Sequence, residues 1–115
     1  MPTPRSLVKL VLREAYRAVR AGYTTGALAR TESGEPCFVN DSRAVVWSLT
    51  GALQRGELRT AARHGDGAAW GAYSEACEIL QRTIPRGFNR NILRWGDSMT
   101  QAQALAVIQQ AGSEV

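Results

Sequence analysis

An amphipathic helix near the start of the chain constrains the fold more than any other feature of the sequence. Its apolar residues recur at steps of one, three and four and fall within an arc of about 140° at about 100° per residue; they are Leu7, Val8, Val11, Leu12, Ala15, Ala18 and Val19. Thr3 or Ser6 is expected to cap the helix, and Gly22 to end it. Because such a stripe must be covered by other elements, it predicts a helical core.

Five basic side chains occupy the opposite side of this helix. They follow one another at steps of four, four, four and three and fall within an arc of about 120°; they are Arg5, Lys9, Arg13, Arg17 and Arg20. A cationic face of this kind can bind nucleic-acid phosphates or an acidic protein. The favoured interpretation of the face alone is that it is solvated and that Glu14 pairs with Arg17, as on most charged helix faces. The sequence leaves these interpretations open.

The charge of the whole chain is also basic. Fourteen basic and ten acidic residues give a net charge of +4 over 115 residues, and Lys9 is the only lysine. Arginine suits phosphate and carboxylate partners, although a GC-rich genome also favours its codons. The composition predicts a single helical domain, residues 1–115. We expect a cytoplasmic protein without a membrane segment, because the longest apolar run, residues 104–108, is far shorter than the roughly 20 residues of a membrane span.

The rest of the chain predicts a mainly α protein of about five helices with one short β-hairpin, near residues 27–39. Asp41 or Ser42 is expected to cap a second helix, and residues 59–67 to form a mobile connector. The other predicted helices cover residues 68–83 and 88–95 and a final stretch that Thr100 and Gln103 open as a capping box. Each of three predicted helices has one inward-facing side. In the second helix it comprises Val45, Val46, Leu49, Ala52 and Leu53, and in the third it comprises Trp70, Tyr73, Ala76, Cys77 and Leu80. In the last helix it comprises Ala104, Leu105, Ile108 and Ala111.

Trp47 projects away from the main stripe of the predicted second helix. Burial between two layers is the favoured interpretation. The alternative exposes Trp47 to a partner or to a second copy of the chain, and the oligomeric state stays open.

Three segments carry a resemblance to a known family. They are Gly22-Tyr23-Thr24-Thr25-Gly26-Ala27-Leu28-Ala29-Arg30, Trp47-Ser48-Leu49-Thr50-Gly51-Ala52-Leu53 and Trp95-Gly96-Asp97. In order and spacing they resemble an uncharacterised family of small bacterial and bacteriophage proteins over residues 10–111. Ser48 stands where that family shows Cys, and Gly96 where it shows Asn. The resemblance implies a shared fold and a phage or mobile-element setting, without a mechanism.

No catalytic, metal or cofactor motif emerges from the sequence. Cys37 and Cys77 are expected to be structural thiols, and His64 an exposed loop residue. A second basic series is interrupted by a proline and a glycine; it comprises Arg82, Arg86, Arg90 and Arg94. A small-molecule pocket could be lined by Tyr23, Trp47, Trp95 and Asp97. The alternative is that Asp97 or Ser98 caps the next turn.

These observations favour a small interaction protein without enzymatic activity. We expect it to bind a host or viral macromolecule, a protein in preference to a nucleic acid, and inhibition of a host system is one outcome of such binding. The residues expected to bind are Arg5, Lys9, Arg13, Arg17, Arg20 and Trp47. Nucleic-acid binding is the alternative, and a small-molecule enzyme or sensor is the third hypothesis.

Overall fold

The computed structural model describes residues 3–85 and 91–115. Over these ranges it confirms a mainly α fold, with five helices and a small antiparallel sheet. In chain order the elements are α1 (Arg5–Ala21), β1 (Ala29–Thr31), β2 (Pro36–Cys37), β3 (Ala44–Trp47), α2 (Leu49–His64), α3 (Asp66–Gln81), α4 (Ile92–Asp97) and α5 (Gln101–Ser113).

Helix α1 forms the centre of the core and contacts α2, α3 and α5. Six residues of its predicted stripe are buried and the seventh, Leu7, is half-buried. The prediction that Thr3 or Ser6 caps the helix is wrong, because Pro4 precedes its first residue and no side chain accepts a capping hydrogen bond. The Pro4 carbonyl instead accepts from the backbone of Leu7 at 3.1 Å. Gly22 ends the helix as predicted.

The predicted hairpin is confirmed, and the sheet has a third strand that the sequence analysis assigned to a helix. The strand order is β2-β1-β3, with both pairs antiparallel. The start of the second helix was therefore predicted wrongly. Val45 and Val46 are β-branched and suit a strand, and Ser48 caps α2 by accepting from Gly51 N at 3.0 Å. Asp41, which was predicted to cap the helix, instead accepts hydrogen bonds from the backbone N–H and the guanidinium group of Arg43.

Helix α2 ends later in the chain than predicted, and the expected connector is wrong. It continues to His64, which is exposed but helical. Only Gly65 separates α2 from α3, with a φ of 88° that an L side chain rarely adopts. The two helices therefore form a tight helical hairpin.

The buried face of α3 differs from the prediction. Ala76 and Leu80 are buried as expected, but Trp70 is 62% exposed. The core side of the helix also includes Ala69 and Ala72, whose small side chains let α3 pack closely against α1 and α2. Tyr73 and Cys77 are half-buried at the edge of this face.

The last two helices flank the core. Helix α4 overlaps the predicted helix 88–95 and is capped by the Asn91 side chain; residues 88–90 of that prediction lie outside the described residues. The capping box of Thr100 and Gln103 is confirmed at the start of α5. Its inward residues are buried, except Leu105, which is half-buried. Among the described helices, none is long and apolar enough to cross a membrane.

Candidate binding surface

The three segments that carry the family resemblance meet in one junction. Tyr23 donates a hydrogen bond from its hydroxyl to the carbonyl of Gly96. The backbone N–H of Gly26 donates to Asp97 Oδ1 at 3.1 Å. Trp47 N donates to the Gly22 carbonyl at 3.0 Å. These contacts join the loop after α1 to β3 and to the end of α4.

Glycines at this junction permit close backbone contact. A Cβ atom on Gly51 would lie 1.9 Å from the carbonyl oxygen of Leu28. A Cβ atom on Gly96 would lie 2.9 Å from the Cβ of Leu49. The resemblance therefore falls on residues that hold the sheet, α2 and α4 together.

Trp47 is buried, with 5% of its surface exposed. Its indole Nε1 donates to the Val39 carbonyl at 2.8 Å, and the Arg55 guanidinium lies 4.6 Å from the centre of its ring. Arg55 Nη1 donates to the same carbonyl at 3.1 Å. Burial of Trp47 is thus confirmed, and the alternative in which it faces a partner is wrong. Trp47 is buried because it is the last residue of β3, whereas the sequence predicted a helix at this position.

The junction residues pack against one another, and none of the described cavities lies between them as a small-molecule pocket would require. Trp95 is buried like Trp47, and the described cavities are lined by other residues. Asp97 does not cap the next turn: its carboxylate binds the distant Gly26. The Ser98 hydroxyl donates back to Trp95 O at 2.7 Å. Burial, together with the negative charge of Asp97, raises the pKa of Tyr23.

The basic face of α1 is exposed along its full length, and we define it by Arg5, Lys9, Arg13, Arg17 and Arg20. Arg17 pairs with Glu14 at 3.3 Å, as predicted. Within residues 3–85 and 91–115, no carboxylate lies within 4.0 Å of the other four cations. Most of the charge on this face is therefore free of an ion pair among the described residues.

A second row of cations, which was not predicted from the sequence, lies on α2 beside this face. Arg55, Arg59 and Arg63 follow at steps of four. Burial, together with the charge of Arg59, lowers the pKa of Arg55. The buried carboxylate of Glu14 lies between the helices, 3.8 Å from Arg59 Nε. The row could have been found from its four-residue period, had the helix been continued beyond Arg59.

A groove runs on the other side of the basic face, between α1 and α5. Its volume is about 440 Å³. We call it the α1–α5 groove, and it is lined by Lys9, Leu12, Arg13, Tyr16, Ile108, Gln109 and Gly112. Helix α5 contributes no charged residue from Gln101 to Ser113. The groove therefore combines an apolar floor with two cations and no carboxylate among its lining residues.

The described residues show no arrangement typical of a metal site: no three His, Cys, Asp or Glu side chains lie together. Cys37 and Cys77 are free and half-buried, and burial raises the pKa of the Cys77 thiol. Of the second basic series, Arg82 directly follows α3 and Arg94 lies on α4, and both are exposed. Arg86 and Arg90 lie outside the described residues.

The fold defines a small, mainly α protein with a three-stranded antiparallel sheet, one junction of close backbone contacts and a basic helical surface. The chain belongs to a family of unknown function, DUF6197, whose model matches residues 3–114. A search of curated proteins and a search of solved structures each found no match. Membership of an uncharacterised family is confirmed, while the particular family motifs and the bacterial or phage setting stay predictions.

Proposed function

We propose that this protein is an interaction protein that binds an acidic surface of another protein through the basic face of α1. The observation that carries the proposal is the exposure of five cations on one helix. Four of them have no carboxylate within 4.0 Å among the described residues. Unpaired cations on one surface attract an acidic partner and accelerate its association.

The surface next to these cations favours a protein partner over a nucleic acid. The α1–α5 groove places Leu12, Tyr16 and Ile108 beside Lys9 and Arg13. Protein interfaces combine an apolar centre with a polar or charged rim. A nucleic-acid backbone would use the cations and leave the apolar floor of the groove unused.

Nucleic-acid binding is the second candidate, and the arginine row of α2 favours it. Arg59 and Arg63 extend the positive charge from α1 onto a second helix. Arginine forks bind phosphates in a bidentate geometry. Helices α1 and α2 carry one acidic residue each, and of these two only Glu14 pairs with the cations, with Arg17 and Arg59; Glu57 forms no ion pair within 4.0 Å in the described part of the chain.

Other parts of the proposal rest on the sequence alone. The phage or mobile-element setting comes from the family resemblance, and the inhibition of a host system is an outcome of partner binding that no residue specifically indicates. The absence of enzymatic activity rests on the lack of a catalytic motif, and the cytoplasmic location on the apolar pattern. All of these stay predictions.

Capture of partners from a bacterial lysate tests the main proposal. The wild type is compared with a double variant, Arg13→Glu with Arg17→Glu, and bound proteins are quantified by mass spectrometry. The control, Arg82→Glu with Arg94→Glu, has the same change in charge and alters exposed cations that lie outside the basic face of α1. The proposal predicts a partner that is lost with the first variant and kept with the control; equal capture by both variants contradicts it.

A gel-shift titration against duplex DNA tests the second candidate. It predicts an affinity that falls steeply with salt, and a shallower salt slope once Arg59 and Arg63 are changed to Gln. The absence of a shift at low salt excludes this candidate.

A further inference from the structure

We propose that the α1–α5 groove is the docking site for a segment of the partner protein in which apolar side chains are flanked by carboxylates. This inference rests on the proposed function and adds the chemistry of the partner. The groove volume of about 440 Å³ falls within the range of about 300–1,000 Å³ that is typical of binding pockets. It can therefore take several side chains of a short segment.

The floor of the groove gives the apolar part of this specificity. Leu12 and Ile108 are buried in the core, and their edges line the groove together with the half-buried ring of Tyr16. A leucine or phenylalanine from a partner would pack on this floor, chiefly against Tyr16, and would itself leave water, which stabilises the complex.

The rim of the groove gives the charged part. Lys9 and Arg13 lie one helical turn apart on α1 and both line the groove. Neither has a carboxylate within 4.0 Å in the described part of the chain, and the opposite wall, α5, carries no charge from Gln101 to Ser113. A carboxylate beside a docked apolar side chain would therefore meet two cations and no acidic neighbour in the groove lining. This complementarity selects an acidic segment over a neutral or basic one.

Gly112 offers a way to fill the groove without disturbing the fold. It lines the groove on α5, and a Cβ atom added there would meet no atom within 4 Å. Gly112→Phe should consequently place a ring in the groove while every charge of the basic face stays in place. Ala106→Phe is the matched control, because Ala106 is exposed on the same helix but does not line the groove.

The experiment is a fluorescence-anisotropy titration of the full chain with a synthetic labelled peptide in which pairs of glutamates alternate with pairs of leucines. A second peptide replaces each leucine by serine and keeps the charge. We expect the wild type to bind the first peptide more tightly than the second, and Gly112→Phe to weaken that binding by about tenfold or more. Ala106→Phe should bind like the wild type.

Three results overturn the inference. They are no binding of the leucine peptide by the wild type, unchanged binding by Gly112→Phe, and binding of duplex DNA in its place. A double charge reversal, Lys9→Glu with Arg13→Glu, separates this inference from the proposed function. If the reversal abolishes binding while Gly112→Phe does not, the basic face binds without the groove; if neither change matters, the proposed function fails as well.

Discussion

The Cα of Gly51 faces the carbonyl oxygen of Leu28 so closely that a Cβ atom on Gly51 would lie 1.9 Å from that oxygen. The first turn of α2 thus packs directly against the backbone that leads into β1. Ser48 N also donates to the Leu28 carbonyl, at 3.0 Å. This contact joins two of the segments that carry the family resemblance.

Gly51→Ala should be strongly destabilising, because the methyl group cannot fit without moving the backbone of Leu28. We expect a loss of about 3 kcal/mol or more in the free energy of unfolding, at the upper end for overpacked cores. Gly112→Ala is the matched control, and there we expect a gain of about 0.5–1 kcal/mol from the higher helix propensity of alanine. Urea unfolding of both variants checks this, and similar stabilities for the two would contradict the close contact.

Trp47→Phe removes the indole donor to the Val39 carbonyl but leaves that carbonyl bonded to Arg55. Because the acceptor keeps one partner, we expect a loss of about 1–2 kcal/mol in the free energy of unfolding. A double-mutant cycle that combines Trp47→Leu, which removes the aromatic ring, with Arg55→Gln measures the coupling of the stacked pair. A coupling of about 0.5–1 kcal/mol is expected for a partly exposed cation over an aromatic ring, and zero coupling would argue against the stack.

Stability should fall at alkaline pH. Burial raises the pKa of Cys77 and of two tyrosines, Tyr23 and Tyr73, in the folded protein. The unfolded chain therefore releases these protons at lower pH than the folded chain, so the free energy of unfolding decreases once pH passes the unfolded pKa values of about 8.5–10.

Urea unfolding at pH 8 and at pH 10.5 measures this decrease. The double variant Cys77→Ser with Tyr73→Phe should lose less stability over the same interval, since two of the three groups no longer titrate. A wild type whose stability does not change over the interval would contradict the assigned burial of these groups.

Glu14→Gln removes the carboxylate that lies between the cations of α1 and those of α2. We expect tighter binding of any acidic partner at low salt, by a factor of about 2–5, because a negative charge beneath the exposed cations is removed, and a smaller effect at high salt. Glu75→Gln on α3 is the control with the same charge change. Equal effects of the two substitutions would show that net charge alone, and not this surface, determines binding.

Much of the helical core could be predicted from the sequence, because periodic apolar residues define a buried face without knowledge of their partners. The stripe of α1 is one such case. The capping box of Thr100 could also be predicted, because it is a local motif of the sequence. Residues 44–47 could not be assigned in the same way. Val45 and Val46 fit a strand or a helix start equally well in a short apolar run, and only pairing with β1 decides between them.

The candidate surface was predicted in part. The cations of α1 follow from their spacing, but the row on α2 was hidden by the glycines that made residues 59–67 resemble a loop. The α1–α5 groove could not be predicted, because it depends on how Tyr16 and Ile108 come together in the tertiary structure. Close contacts such as Gly51 with Leu28 depend in the same way on how elements cross.

An NMR titration tests the central claim most directly. The labelled full chain is titrated with the glutamate–leucine peptide, and the backbone amide shifts are followed. The account predicts that the largest shift changes fall on α1 around Lys9 to Tyr16 and on α5 around Ile108 to Gly112, and that Lys9→Glu with Arg13→Glu removes them. Shift changes confined to other elements, or shift changes that persist in that variant, would contradict it.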